Sequence, residues 1–196
     1  MILGGICLDG YDTIPEPYSK YLHIGKNVMV KTGTILCGEG FHFKKIKGKH
    51  TFNTHNFGVE IQDEVWIGSN CTVDRGRVRD TVISKGTKID NGVHISHNCI
   101  IGNDCIIATG VILLGSCEVG NGTEIWSNAI IHQGVKVGNN CAVGANTYLR
   151  HDLKDNMVAY MTSDGMVIKP ITDAKKYGGG VSKKCLNGKC AADVSW

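Results

Sequence analysis

A chain of 196 residues suits one domain with a continuous core and leaves little room for a second. Its net charge of +3 is too small to call for a large polyanion, so nucleic acid is not an expected partner. Glycine is frequent and proline rare, with no glycine at every third place, which excludes collagen and proline-rich disorder and assigns the glycines to turns.

The first ten residues lack the basic head and long apolar run of a signal peptide. No apolar run nears the length of a membrane span, so the expected location is cytoplasmic. Residues 1–22 carry no repeat and read as a lead-in, with Pro15 and Pro17 favouring extended or turning backbone. A six-residue period then begins: Ile24, Val30 and Leu36 are its first three leading aliphatics.

The period fails over 41–57, which reads as a loop projecting from the repeat. Lys44, Lys45, Lys47 and Lys49 in this loop either meet phosphates or form a solvated face. Its Phe41, Phe43, Phe52 and Phe57 are all the phenylalanines of the chain, and such a cluster predicts a lid over a ligand or an interface. The repeat resumes at Ile61, Ile67 and Val73 and then slips, because Val73 to Ile83 spans ten residues where the period gives twelve. The irregular piece at 74–80 is expected to turn its arginines, Arg75 among them, outward toward an anionic group.

From 83 to 149 an aliphatic residue returns at every sixth position, from Ile83 and Ile89 through to Val143 and Leu149. A small or β-branched residue stands four places after nearly every one. Six is the period of neither a helix nor an alternating strand, and it predicts an all-β chain wound as a parallel β-helix, three hexads to an 18-residue coil. The β-helix is expected over 23–155, with 156–196 as an extension and tail in which 166–170 reads as a covering strand. Cys71, Cys99, Cys105, Cys117 and Cys141 fall on the small inward place and read as core. Cys185 and Cys190 flank an Asn-Gly turn that would set them opposite each other, although a cytosolic thiol pair is reduced by default.

Residues 18 apart stack on successive coils about 4.8 Å apart. His97 takes an outward place with Gly115 above it, where a glycine leaves open space beside the imidazole and an approachable N–H. A histidine beside a free backbone donor has the parts for proton abstraction and oxyanion stabilisation. Asp90 and Asn91, at the preceding corner, are the residues expected to hold the ring in one tautomer. The other histidines, His23, His42, His50, His55, His94, His132 and His151, read as incidental corner or loop residues. His97 and His94 are both out of register with His132, so no metal site is expected.

Val-Asp-Arg-Gly at 73–76, Ile-Asp-Asn at 89–91, Ile-Ser-His-Asn at 95–98, Ile-Gly at 101–102 and Leu-Gly-Ser at 114–116 together resemble the signature of the UDP-3-O-acylglucosamine N-acyltransferases. Gly-Phe-His-Phe at 40–43 and the run 166–172 extend the likeness over about 21–181. The resemblance implies a left-handed β-helix and a homotrimer with active sites between subunits. It also implies transfer of an acyl group from acyl-CoA or acyl-carrier protein to the amine of a nucleotide-linked amino sugar, with no tightly bound cofactor.

On that resemblance His97 is the general base, Asp90 or Asn91 orients it, and the N–H of Gly115 faces the oxyanion. Asn98, Phe41, Phe43, Arg75, His132 and Gly134 are the expected substrate- or donor-binding positions, Gly134 standing where the family has a second histidine and His132 two places earlier. The family's N-terminal uridine-holding domain has no counterpart in the repeat pattern. Its C-terminal carrier-binding helices are replaced by a short tail rich in Gly, Lys and Cys, which makes CoA a donor on a par with carrier protein. The remaining readings are a sugar O-acyltransferase, since a histidine base serves a hydroxyl equally, and a trimeric β-helix scaffold without catalysis.

Overall fold

The computed structural model describes residues 6–7 and 17–171. Within them the chain winds as the expected parallel β-helix, each coil giving one short strand to each of three sheets. Sheet 1 stacks Leu22–Ile24, Val59–Ile61, Thr81–Ile83, Ile100–Ile101, Glu118–Val119 and Lys136–Val137. Sheet 2 runs from Met29–Val30 and Trp66–Ile67 up to Ala142–Val143. Sheet 3 stacks Ile35–Gly38, Thr72–Asp74, His94–Ile95, Ile112–Leu113, Ile130–Ile131 and Tyr148–Leu149.

The hexad explains this shape place by place. The leading aliphatic ends each strand and points inward, so Ile83, Ile101 and Val119 stack in register and are buried. The residue four places on is buried as well, which puts the five repeat cysteines and Thr87, Thr123 and Thr147 inside. Buried hydroxyls need partners. Thr87 and Thr123 find them by donating to the carbonyls of Gly102 and Gly138 and accepting the N–H of Cys105 and Cys141. The residue three places after the aliphatic turns the corner in the left-handed region, and from Gly86 to Asn146 this place holds Gly, Asn, Asp or Ser.

Three elements depart from the sequence reading. Within 41–57 the projecting loop contains a β-hairpin, Phe43–Ile46 with Lys49–Phe52, closed by Lys47 and Gly48, both at positive φ. The interruption after Val73 is an addition of four residues and not a loss of two, since Val73 pairs with Ile95. Regular structure also passes residue 155. Met157–Thr162 continues sheet 2 by pairing with Ala142–Val143, and Gly165–Pro170 folds back on it as the outer strand, at the place where the sequence suggests a covering strand. Cys185 and Cys190 lie outside the described residues. Among the described residues no helix is long and apolar enough to cross a membrane.

Candidate active site

His97 stands at the corner between sheet 3 and sheet 1, directly after His94–Ile95. Gly115 occupies the same corner one coil on. The imidazole fills the space left by the missing side chain: a Cβ at 115 would stand 2.6 Å from Cε1 and 2.8 Å from Nε2 of His97. That glycine therefore seats the ring, where the sequence suggested an open space. The Gly115 carbonyl accepts the Gly134 N–H at 3.0 Å, while its own N–H donates no backbone hydrogen bond among the described residues.

The far side of the ring is closed by His55. This histidine is fully buried, and its ring lies edge-on to that of His97 with centroids 5.2 Å apart. Its Nδ1 is 3.0 Å from the carbonyl oxygen of Arg75, and its backbone N–H donates to Glu39 at 2.9 Å. Burial lowers the His97 pKa below the ordinary 6.5, and the nearby His55, Arg77 and His42 lower it further. The ring is therefore neutral near pH 7.

The residues that touch His97 differ from those the spacing suggested. Asp90 hydrogen-bonds the Thr109 hydroxyl, which holds its carboxyl below the usual range, and Asn91 accepts the Ser69 N–H at 2.8 Å. Both lie at the corner between sheets 2 and 3, and neither hydrogen-bonds His97. The residue that does is Asn98, whose Nδ2 is 2.8 Å from His97 Nδ1. Asn98 is buried and held by the four-residue addition, where the N–H groups of Arg77 and Val78 both donate to its Oδ1.

Arg75 is also corrected. It does not point outward: it is buried, paired with Glu39 and stacked on the Tyr21 ring at 4.4 Å. These contacts tie the start of the 74–80 segment to Glu39 and Tyr21. Arg79 pairs with Glu118 at 3.0 Å.

A cleft of about 450 Å³ opens beside His97, lined by Phe41, Asp74, His94, Ser96, Gly115 and Gln133 among others. Phe41 is 91 % exposed at its rim and lies 5.0 Å from the ring of Phe43, which packs edge-on to Phe52 in the hairpin. Asp74 and His94 face each other across 3.9 Å, and burial raises the Asp74 carboxyl pKa against the opposing pull of His94 and His55. His94, read as incidental, thus shares the cleft with His97. Counting the interruption as four added residues stacks Asp74 with Ser96, whose column continues through Leu114 to His132.

His132 lies two coils from Ser96 in that column, with Nδ1 2.6 Å from the Tyr148 hydroxyl. Gly134 has open space where a side chain would stand. A larger cleft of about 600 Å³ runs along sheet 1, but its charged Glu118 and Lys136 already pair at 3.0 Å. The chemistry therefore points to the smaller cleft. Among the described residues, no cluster of three or more His, Cys, Asp or Glu could hold a metal ion.

The family model for the bacterial transferase hexapeptide (six repeats) matches residues 80–115 and 116–151. Over 93 residues the chain is 46% identical to a UDP-3-O-acylglucosamine N-acyltransferase of Methylorubrum extorquens, a match covering 47% of this chain and 26% of that protein. An enzyme of the same name from Fusobacterium nucleatum is 45% identical over 85 residues, 43% of this chain and 26% of its own. The chain thus spans about a quarter of the length of the curated relatives it matches. Among solved structures, a UDP-N-acetylglucosamine acyltransferase of Francisella novicida superposes with a TM-score of 0.66 at 20% identity, over 79% of this chain and 62% of that one, a likeness of fold.

Proposed function

We propose that the chain transfers an acyl group from a thioester, acyl-CoA or acyl-carrier protein, to the amine of an amino sugar, nucleotide-linked, in the cleft beside His97. The observation that carries this reading is the contact of the His97 imidazole with Gly115, whose N–H has no backbone acceptor among the described residues, at the edge of a cleft. The names of the relatives that match over the hexapeptide region support the substrate class.

The amine nitrogen attacks the thioester carbonyl carbon, forming the C–N bond. The Gly115 N–H donates to the carbonyl oxygen as it becomes an oxyanion. His97 accepts the amine proton at Nε2 and returns it to sulfur as the C–S bond breaks, so the products are an amide and a free thiol. Phe41 and Phe43 stand where an acyl chain can leave water. The active assembly is a homotrimer in which a second copy closes the cleft.

Purified chain is to be incubated with acyl-CoAs and acyl-carrier proteins against amino-sugar nucleotides, with thiol release followed and the product bond identified by mass. Turnover to an amide, reduced at least 100-fold in His97→Ala, is the expected result. Unchanged turnover in His97→Ala removes the base assignment, a hydroxylamine-labile ester product moves the chemistry to oxygen, and no turnover with any pair favours a scaffold.

A further inference from the structure

Asn98 occupies a left-handed corner place, with φ 61° and 1% exposure. Its Oδ1 accepts two backbone N–H groups, from Arg77 at 2.7 Å and Val78 at 3.0 Å. Backbone donors cannot exchange roles, so the carbonyl end of the amide is fixed on that side. The –NH2 end must face the other way, 2.8 Å from His97 Nδ1 and 3.2 Å from the Ser116 hydroxyl. An amide nitrogen only donates. Nδ1 of His97 must therefore offer a lone pair, and the neutral ring carries its one proton on Nε2.

We infer that Asn98 is a positioning residue that holds resting His97 as the Nε2–H tautomer, so that the ring shows the cleft a proton and not a lone pair. This inference rests on the reading of His97 as the proton acceptor, and it adds a step before that role. The ring proton must first leave Nε2 for Nδ1, through solvent, and the Asn98 contact must open. Only then can Nε2 take the proton of the amine. The imidazolium formed has N–H at both nitrogens, and its Nδ1–H would again meet the Asn98 –NH2. An aspartate at 98 has the same shape, still accepts the Arg77 and Val78 N–H groups, and turns the contact with Nδ1 from donor to acceptor. Exchanging an amide for a carboxylate beside an imidazole is known to exchange the favoured tautomer.

The test is the nitrogen chemical shifts of histidine-labelled full-length chain above the titration of His97, assigned by loss of the signals in His97→Gln. The expected result is protonated Nε2 with lone-pair Nδ1 in the wild type, and the reverse in Asn98→Asp. Asn98→Asp should also raise kcat/KM about tenfold, equivalent to ~1.4 kcal/mol, with KM unchanged. A wild-type ring protonated on Nδ1, or a tautomer unmoved by Asn98→Asp, overturns the inference. If the tautomer reverses as stated but kcat/KM falls, the inference stands and the base role of His97 is what fails. Should Asn98→Asp not fold, the wild-type spectrum decides the tautomer alone.

Discussion

At the scale of single residues, the site depends on an imidazole pressed between a missing side chain and a buried one. Gly115→Ala would put a methyl group 2.6 Å from Cε1 of His97, so the ring must move. Misplacement of a reacting group by about 1 Å costs on the order of 100-fold. We therefore expect Gly115→Ala to lower kcat/KM by at least ~10-fold with an unchanged circular-dichroism spectrum.

The acid–base behaviour of His97 follows from its surroundings. Burial, then His55, Arg77 and His42, place its pKa below 6.5, which favours the neutral form in the folded state. The unfolded chain then binds more protons just below pH 6.5, so this contribution to stability is intact above 6.5 and is lost as pH falls through the folded pKa. The same sign puts the acid limb of kcat/KM below pH 6.5. A pH–rate profile checks this, and a limb above 6.5 would contradict it. His97 and Gly115 were legible in the sequence because both sit in unbroken hexads 18 apart. Asp90 and Asn91 misled because closeness along the chain put them at the wrong corner of the triangle.

At the scale of elements, the hexad coils and the insertion contribute differently. From Ile83 to Leu149 the leading aliphatic of every hexad is buried, and Ile101→Ala should cost about 2–5 kcal/mol of stability, measurable by denaturant titration. The hairpin Phe43–Ile46 with Lys49–Phe52 is exposed along most of its length. Its base is tied by the Asn53 N–H to the His42 carbonyl at 2.9 Å. Excising residues 43–52 across that tie should leave the thermal midpoint within a few degrees and raise KM for the acyl donor. An unchanged KM would remove the hairpin from donor binding.

The hairpin is not legible in the sequence because its pattern has no clean alternation: Phe43 and Phe52 face each other across the strands, but lysines take both faces. The four-residue addition is not legible as such, because a spacing of ten fits a loss of two as well as a gain of four. The sequence fixes the length between Val73 and Ile83, whereas only strand pairing tells an insertion from a deletion.

At the scale of the whole molecule, the single chain carries exposed apolar groups on its sheet faces, including Trp66, Ile106 and Tyr148. A solenoid stacks its core along one axis and has no means within one chain to cover such faces. Sedimentation should return three times the 21.2 kDa chain mass, and a monomer would remove the shared-cleft part of the proposal.

The sequence by itself determined the architecture, because a hexad period lets one rule decide inward, corner and outward places for every coil. It determined the core cysteines and the His97–Gly115 stack for the same reason. The tertiary structure decided what no period encodes. It turned Arg75 inward to Glu39, brought His55 to His97 and Asp74 to His94, and closed an irregular corner over Asn98. These contacts join segments whose spacing obeys no repeat, so their geometry is set by how the interruptions pack against the coils.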